Sequence, residues 1–251
     1  MPFFRPPDPL SNNSFYSGMI SGALGGYIWG KEKRFNPDRL VESPSLKKHF
    51  IDILARHLSA EETVLDIGCG CGTFTPFISP ICDQYVGMDI SSDLLLSCRG
   101  VARDYDLNNV TLTNGSADCL PFASNSFDKL VVVDVIHHIY NLEAAIHEFR
   151  RVLKPGGRAL VFEPNKLNFA LALLCLFDRN EWGALGLGSK AAYRKLFSPY
   201  FKICKLEYNG LLIGPDSKLG RSMVDTVNSQ WGKVLLQWLN PKLFMVFEKE
   251  A

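Results

Sequence analysis

The chain has 251 residues, of which 47% are hydrophobic and 21% are charged. This balance is typical of one globular α/β domain with room for an appendage. The formal net charge of +1 removes the electrostatic case for a nucleic-acid partner, which needs clustered Lys and Arg. The seven cysteines fall at irregular spacing, which argues against a disulfide framework and favours a reducing, cytoplasmic location.

Neither a metal site nor a membrane span is expected from the sequence. Cys69 and Cys71 form a C-x-C pair, but no second cysteine or histidine pair follows at zinc-ligand spacing. No apolar run reaches the roughly 18 residues that a spanning helix needs. The N-terminal prolines do not resemble a signal peptide.

Residues 1–42 are predicted to form an N-terminal arm. The segment 15–30 is rich in aromatic residues and glycine, and it includes Phe15, Tyr16 and Trp29. Two interpretations stay open. The arm is either an irregular wrap packed on the domain, or a lid or membrane-facing segment whose aromatic side chains contact an apolar substrate or lipid.

A capped helix, a buried strand and a glycine loop follow the arm. Ser43 and Pro44 predict a helix start, and 63–67 predicts a strand. The strand leads into Asp66-x-Gly68-x-Gly70-x-Gly72, where missing Cβ atoms let the backbone N–H groups approach a ligand. This spacing differs from the G-x-G-x-x-G of nicotinamide and flavin sites.

The D-x-G-x-G-x-G loop resembles that of the class I S-adenosylmethionine-dependent methyltransferases, particularly the small-molecule branch. A second strand is predicted over 84–90, and Ser91 is predicted to cap a helix that runs to about Tyr105. Asp89 ends the strand, where a carboxylate can accept both hydrogen bonds of a ribose diol.

The third predicted strand, 110–113, leads into a segment similar to the G-D-A-x-x-L-P-F of the same family. By this resemblance Ser116 and Ala117 flank an adenine. The family's usual carboxylate falls on Ser116, which lacks the charge but still offers a hydroxyl. Asp118 is either a substitute for that carboxylate or a solvated turn residue.

The fourth strand, 130–133, is followed by Asp134, His137 and His138, a stretch comparable to the family's F-D-x-V…H-H. A helix is expected from Asn141 to Leu153, ending at a glycine turn over 153–157 like the family's R-V-L-K-P-G-G. The fifth strand, 158–162, closes at Glu163.

The signal is weaker after residue 165. The stretch 167–177 is apolar on every side, and 181–188 is expected to be a flexible loop. Residues 189–197 predict the last sheet-packing helix, 201–208 the sixth strand and 243–248 the seventh. The connection 209–242 is unusually long, with helices expected around 223–228 and 234–239.

The predicted fold is therefore α/β and Rossmann-like. It has a seven-stranded sheet, mostly parallel with the last strand antiparallel, and helices on both faces. The arm or lid (1–42) precedes an S-adenosylmethionine-binding domain (43–251) with substrate-side insertions at 165–188 and 209–242.

The resemblance implies S-adenosyl-L-methionine as cofactor. The residues expected to contact it are Asp66, Gly68, Cys69, Gly70, Asp89, Ile90, Ser116, Ala117 and Asp134. His137, His138 and Glu163 are the candidates for a general base, and the alternative is that they only pack or hydrogen-bond at strand ends.

The acceptor is expected to be a small apolar or lipid-like molecule, with an O-, N- or C-nucleophile left open. The proposed pocket is walled by Phe15, Tyr16, Trp29, Phe169, Leu173 and Trp182. No nucleic acid is expected as partner, and peripheral membrane contact is one option. The alternatives are a catalytically silent methyltransferase fold that binds the cofactor or a protein partner, and a protein or RNA methyltransferase.

Overall fold

The computed structural model describes residues 44–177, 181–210 and 239–250, with isolated residues 222, 226, 229, 231, 232 and 236 between the last two ranges. The arm predicted over 1–42 lies outside the described residues. The same holds for most of the connection 209–242 and its two expected helices.

A single seven-stranded sheet organises the described part of the chain, in the order β3-β2-β1-β4-β5-β7-β6. Its strands are β1 (Thr63–Ile67), β2 (Gln84–Asp89), β3 (Val110–Asn114), β4 (Phe127–Val133), β5 (Leu153–Pro164), β6 (Lys202–Asn209) and β7 (Lys242–Glu248). The β1 strand pairs parallel with β2 and β4, whereas β7 is antiparallel to β5 and β6. The Rossmann-like fold with an antiparallel last strand is confirmed.

Helices cover both faces of the sheet. They are α1 (Pro44–Leu54), α2 (Thr75–Ile78), α3 (Ser92–Asp104), α4 (Leu142–Val152), α5 (Phe169–Leu176), α6 (Trp182–Leu187) and α7 (Lys190–Phe197). Phe50 of α1 packs in the cluster with Val64 on one face, and Phe149 of α4 and Phe197 of α7 pack in the cluster with Leu65 on the other. Burial on both faces explains the continuous apolar runs of the central strands.

Three helix starts carry side-chain caps, and the cap at Ser91 is the one that the sequence predicts. The side-chain oxygens of Ser91, Asn141 and Ser189 accept hydrogen bonds from backbone N–H groups in the first turns of α3, α4 and α7. Such a cap stabilises a helix by about 1 kcal/mol.

Two local expectations differ from the structure, one in its setting and one in its kind. The glycine turn predicted over 153–157 is present, but β5 already begins at Leu153 and contains the turn as an irregularity: the pairing shifts from Phe127–Leu153 to Lys129–Arg158, and Gly156 between them has a φ of +74°. The loop predicted over 181–188 contains α6, because its glycine-rich sequence allows close tertiary contact that outweighs low helix propensity. Gly183 makes that contact with the chain at His137.

All seven cysteines lie in the described part of the chain and are free. Among the same residues, no helix combines the length and the apolar character needed to cross a membrane.

Candidate cofactor and acceptor site

The glycine loop after β1 adopts a conformation that favours glycine at three positions. Gly68, Gly70 and Gly72 have φ values of +73°, +55° and +88°. A Cβ on Gly68 would lie 2.3 Å from Cγ2 of Val135, and one on Gly72 would lie 3.0 Å from Sγ of Cys98. A Cβ on Gly70 would meet no atom of the described residues within 4 Å. Gly68 and Gly72 therefore pack against neighbouring side chains, and of the three glycines Gly70 is the one without such a neighbour in the described part of the chain.

Asp89 ties the end of β2 to this loop. Its Oδ2 accepts a hydrogen bond from the Gly70 N–H and its Oδ1 accepts one from the Ser91 N–H, each at 2.9 Å. Burial raises the pKa of Asp89, and backbone hydrogen bonds from Ser91, Gly70 and Ile90 oppose that effect. A carboxylate offers about four acceptor sites, so Asp89 can still accept from a ribose.

Asp66 and Cys69 lie beneath the loop. The Tyr85 hydroxyl donates to Oδ2 of Asp66 at 2.6 Å, and burial raises the pKa of Asp66 to about 7. Cys69 shares a hydrogen bond with Cys98, which together with burial raises the pKa of the Cys69 thiol well above its usual range. The side chains of Asp66 and Cys69 thus support the loop from below.

The segment predicted to flank an adenine is anchored to the end of β2. The side-chain amide of Asn114 donates to the backbone carbonyls of Asp89 and Ile90 at 3.0 and 2.9 Å. The Ser116 hydroxyl donates to the Asp118 carboxylate, so a negative charge lies beside the position where the family carries one. Ala117 is half-buried against the core.

At the end of β4 the chain turns through an unusual conformation. Asp134 has a φ of +58° and forms an ion pair with the buried Lys242 of β7. The next residue, Val135, supports Gly68. The ends of β1, β4 and β7 therefore meet at one edge of the sheet.

Glu163 forms the centre of a buried network at this edge. Its Oε1 accepts from the N–H groups of Val135 and Ile136 at 2.9 and 2.7 Å. Its Oε2 contacts Nδ1 of His137 at 2.6 Å and accepts from the Tyr193 hydroxyl at 3.0 Å. Glu163 thus fixes the turn after β4.

The pKa values of the two histidines of this turn are shifted in opposite directions. Burial alone would lower the pKa of His137, but the charges and hydrogen bonds of Glu163 and Glu181 raise it to about 10. Burial and the nearby charge of His137 lower the pKa of His138 to about 4. For Glu163, burial is outweighed by His137, which holds the pKa of that carboxyl below its usual range.

The predicted acceptor pocket is only partly within the described residues. Phe15, Tyr16 and Trp29 lie outside them. On α5, Phe169 is 73% exposed and Leu173 is 44% exposed. The Trp182 indole N–H donates to the Leu176 carbonyl at 3.3 Å, which links α6 to the end of α5. The pocket itself stays a prediction.

Four residues of this edge escaped the sequence interpretation. They are Glu181, Gly183, Tyr193 and Lys242. The available signals were weak. Tyr193 is a polar-tipped residue on the apolar face of a predicted helix, and Lys242 directly precedes an apolar strand.

The comparisons with known proteins agree with the fold and the loop. The model of the family described as "Methyltransferase domain" matches residues 65–161. The segment is 34% identical over 104 residues to the uncharacterized methyltransferase YcgJ of Bacillus subtilis, covering 41% of each chain. It is 34% identical over 121 residues to the ubiquinone/menaquinone biosynthesis C-methyltransferase UbiE of Shewanella frigidimarina, covering 47% of each. The match thus spans less than half the length of these curated relatives.

Structural similarity extends beyond that segment. The N-methyltransferase NodS of Bradyrhizobium japonicum, solved in complex with S-adenosyl-L-homocysteine, superposes with a TM-score of 0.58 at 15% identity. The superposition covers 94% of this chain and 98% of NodS, and at this identity it bears on the fold alone.

Strand order, glycine loop and family match together define a class of protein. Residues 65–161 are similar to the methyltransferase-domain family and lie in a sheet of the strand order given above, in agreement with the resemblance of the motifs.

Proposed function

We propose that the protein transfers the methyl group of S-adenosyl-L-methionine to a small apolar acceptor. The observation that carries the proposal is the pairing of Gly70 and Asp89 at the carboxyl edge of the sheet. No atom of the described residues would lie within 4 Å of a Cβ on Gly70, and the Gly70 N–H donates to the Asp89 carboxylate at 2.9 Å. Ligands of open α/β sheets bind at this edge.

The residues present fit the proposed cofactor. The backbone at Gly70 would lie against its methionine portion, Asp89 would accept from its ribose, and Ser116 with Ala117 would flank its adenine. When bound, the cofactor supplies an electrophilic methyl group on a sulfonium. The task of the chain is then to hold donor and acceptor close and in line, which contributes roughly 7–11 kcal/mol in favourable cases.

The geometry favours an acceptor that needs no strong base. Nδ1 and Nε2 of His137 both face carboxylates, at 2.6 and 3.2 Å, so the ring has no nitrogen free to take a proton. Glu163 is fully buried and already accepts from two backbone N–H groups. An activated carbon or an amine can be methylated without a base, and this supports such a nucleophile over an alcohol. The catalytic roles of His137, His138 and Glu163 stay predictions.

An apolar acceptor is supported by the surface of α5. Leu167, Phe169, Leu176 and Phe177 are each more than half exposed, although this segment follows β5 at the cofactor edge. A relative named as a quinone-biosynthesis C-methyltransferase is consistent with acceptors of this kind. We further propose that three segments enclose the acceptor, namely the arm 1–42 and the insertions 165–188 and 209–242. We also propose that α5 contacts a membrane surface during methyl transfer.

The test is the formation of S-adenosylhomocysteine by the purified chain. We expect turnover with an alkyl-substituted hydroquinone and none with a polar analogue lacking the alkyl chain. The Gly70→Val variant is the matched control, since its side chain fills the space facing the loop. Cofactor binding without turnover on any acceptor in a cell extract would instead favour the catalytically silent alternative.

A further inference from the structure

A second cluster of ligating side chains lies on the turn after β4. His137, His138 and Glu181 each offer one ligand atom, and these atoms lie within 4.8 Å of one another. Nε2 of His137 lies 3.2 Å from Oε2 of Glu181. Two ligands of a tetrahedral zinc ion, at roughly 2.0–2.2 Å from the metal, lie about 3.4 Å apart. The His137–Glu181 pair therefore has this spacing already, and the ligand atom of His138 lies within 4.8 Å of the other two.

His137 also has the outer partner that metal-binding histidines use. Its Nδ1 lies 2.6 Å from Oε2 of Glu163. Glu163 is held in place by two backbone N–H groups and the Tyr193 hydroxyl. A carboxylate that accepts from Nδ1–H fixes the ring and directs the Nε2 lone pair to a metal. In this arrangement Nε2 points toward Glu181.

The helix that directly follows Glu181 packs on the histidine turn. A Cβ on Gly183 would lie 1.7 Å from the His137 carbonyl oxygen, so the two backbones are in direct contact. This contact brings the N-terminal end of α6 to the turn and sets the position of Glu181. The three ligands are thus held by packing of the backbone, as a site with defined geometry requires.

The charges at the cluster also favour a cation. Two carboxylates, Glu163 and Glu181, face the single ring of His137, which is 1% exposed. Asp134 at the same edge is neutralised by its ion pair with Lys242. A divalent ion that displaces the proton on Nε2 of His137 and binds Glu181 would leave the ring neutral and balance the charges of the two carboxylates.

We propose that His137, His138 and Glu181 form a binding site for one divalent transition metal ion of the zinc class. Two imidazoles and one carboxylate are a ligand set of that class, in contrast to the all-oxygen sets of Mg²⁺ and Ca²⁺. Three protein ligands leave a further position for water or another oxygen ligand. The sequence pattern did not predict this site, because Glu181 is distant from the histidine pair along the chain.

The test is titration of the full chain with Co²⁺ after dialysis against a chelator. We expect one equivalent of Co²⁺ to bind with visible d–d absorption, and Zn²⁺ to displace it. The Glu181→Gln variant keeps the side-chain shape and should weaken Co²⁺ binding at least tenfold. The His147→Asn variant is the matched control, since His147 is exposed on α4, and it should bind as the wild type does.

Three results would overturn the proposal. These are absence of Co²⁺ binding by the wild type, unchanged binding by Glu181→Gln, and a strong thiolate-to-cobalt band, which would assign the ion to cysteines. Circular dichroism checks that each variant is folded. If Glu181→Gln does not fold, His138→Asn replaces it with the same expected loss. None of these measurements depends on methyl transfer.

Discussion

Alanine substitutions at Gly68 and Gly70 should separate stability from cofactor binding. Both glycines have positive φ, so alanine costs about 1–2 kcal/mol of backbone strain at either position. At Gly68 the new Cβ would also lie 2.3 Å from Val135, and relieving such overpacking costs about 1–3 kcal/mol. At Gly70 it would meet no atom of the described residues within 4 Å.

We therefore expect Gly68→Ala to lose about 3 kcal/mol of unfolding free energy and Gly70→Ala about 1–2 kcal/mol. Urea denaturation measures this difference. The affinity for S-adenosylhomocysteine should fall more in Gly70→Ala than in Gly68→Ala. Because the Cβ at Gly70 projects into the space assigned to the ligand, we expect at least a tenfold loss, about 1.4 kcal/mol, by calorimetry.

Either half of this prediction can fail separately. Wild-type affinity in Gly70→Ala would refute the assignment of the open side of the loop to the cofactor. A smaller loss of stability in Gly68→Ala than in Gly70→Ala would refute the role of Val135 as the support of the loop.

Three further variants test other parts of the site. Asp89→Ala should weaken S-adenosylhomocysteine binding by roughly 1.5–3 kcal/mol, the range for hydrogen bonds to a charged group, and unchanged affinity by calorimetry would refute the ribose assignment. The folded-state pKa of Asp66 is raised from 3.8 to about 7, so stability falls as the pH rises between these values. The wild type should lose roughly 3 kcal/mol of unfolding free energy between pH 5 and pH 8, and the Asp66→Asn variant should not show this loss. Wild-type and variant stabilities, measured by urea unfolding, that fall in parallel over this pH range would contradict the prediction. Gly183→Ala should displace α6 from the His137 carbonyl at a cost of about 1–3 kcal/mol, and hydrogen exchange of α6 as slow as in the wild type would exclude that contact.

The sequence was most informative where local chemistry and tertiary position coincide. A buried strand that ends in glycines places its loop at the carboxyl edge of a parallel sheet, whatever the rest of the fold does. The cap at Ser91 was predictable because its side chain can accept a hydrogen bond from the first turn of a helix. The antiparallel seventh strand was predictable from the family resemblance.

The sequence was least informative where tertiary contact decides the structure. The glycines at 183, 186 and 188 predict a loop by propensity, yet Gly183 allows a helix to touch the backbone of His137. The ionisation of His137 depends on Glu163 and Glu181, which come from different elements. No local sequence pattern predicts these contacts. The histidine pair, taken by itself, therefore suggested a general base.

The hydrogen bond between Gly70 and Asp89 also determines which ligands the loop repels. In dinucleotide-binding folds, the N–H groups of the glycine loop and the following helix hold a pyrophosphate. Here one carboxylate already accepts from both the Gly70 and the Ser91 N–H groups. A phosphate that approached Gly70 would meet this negative charge in a buried setting, where screening by water is weak. The Gly70 and Ser91 N–H groups are therefore not available as donors to a phosphate at this point of the loop.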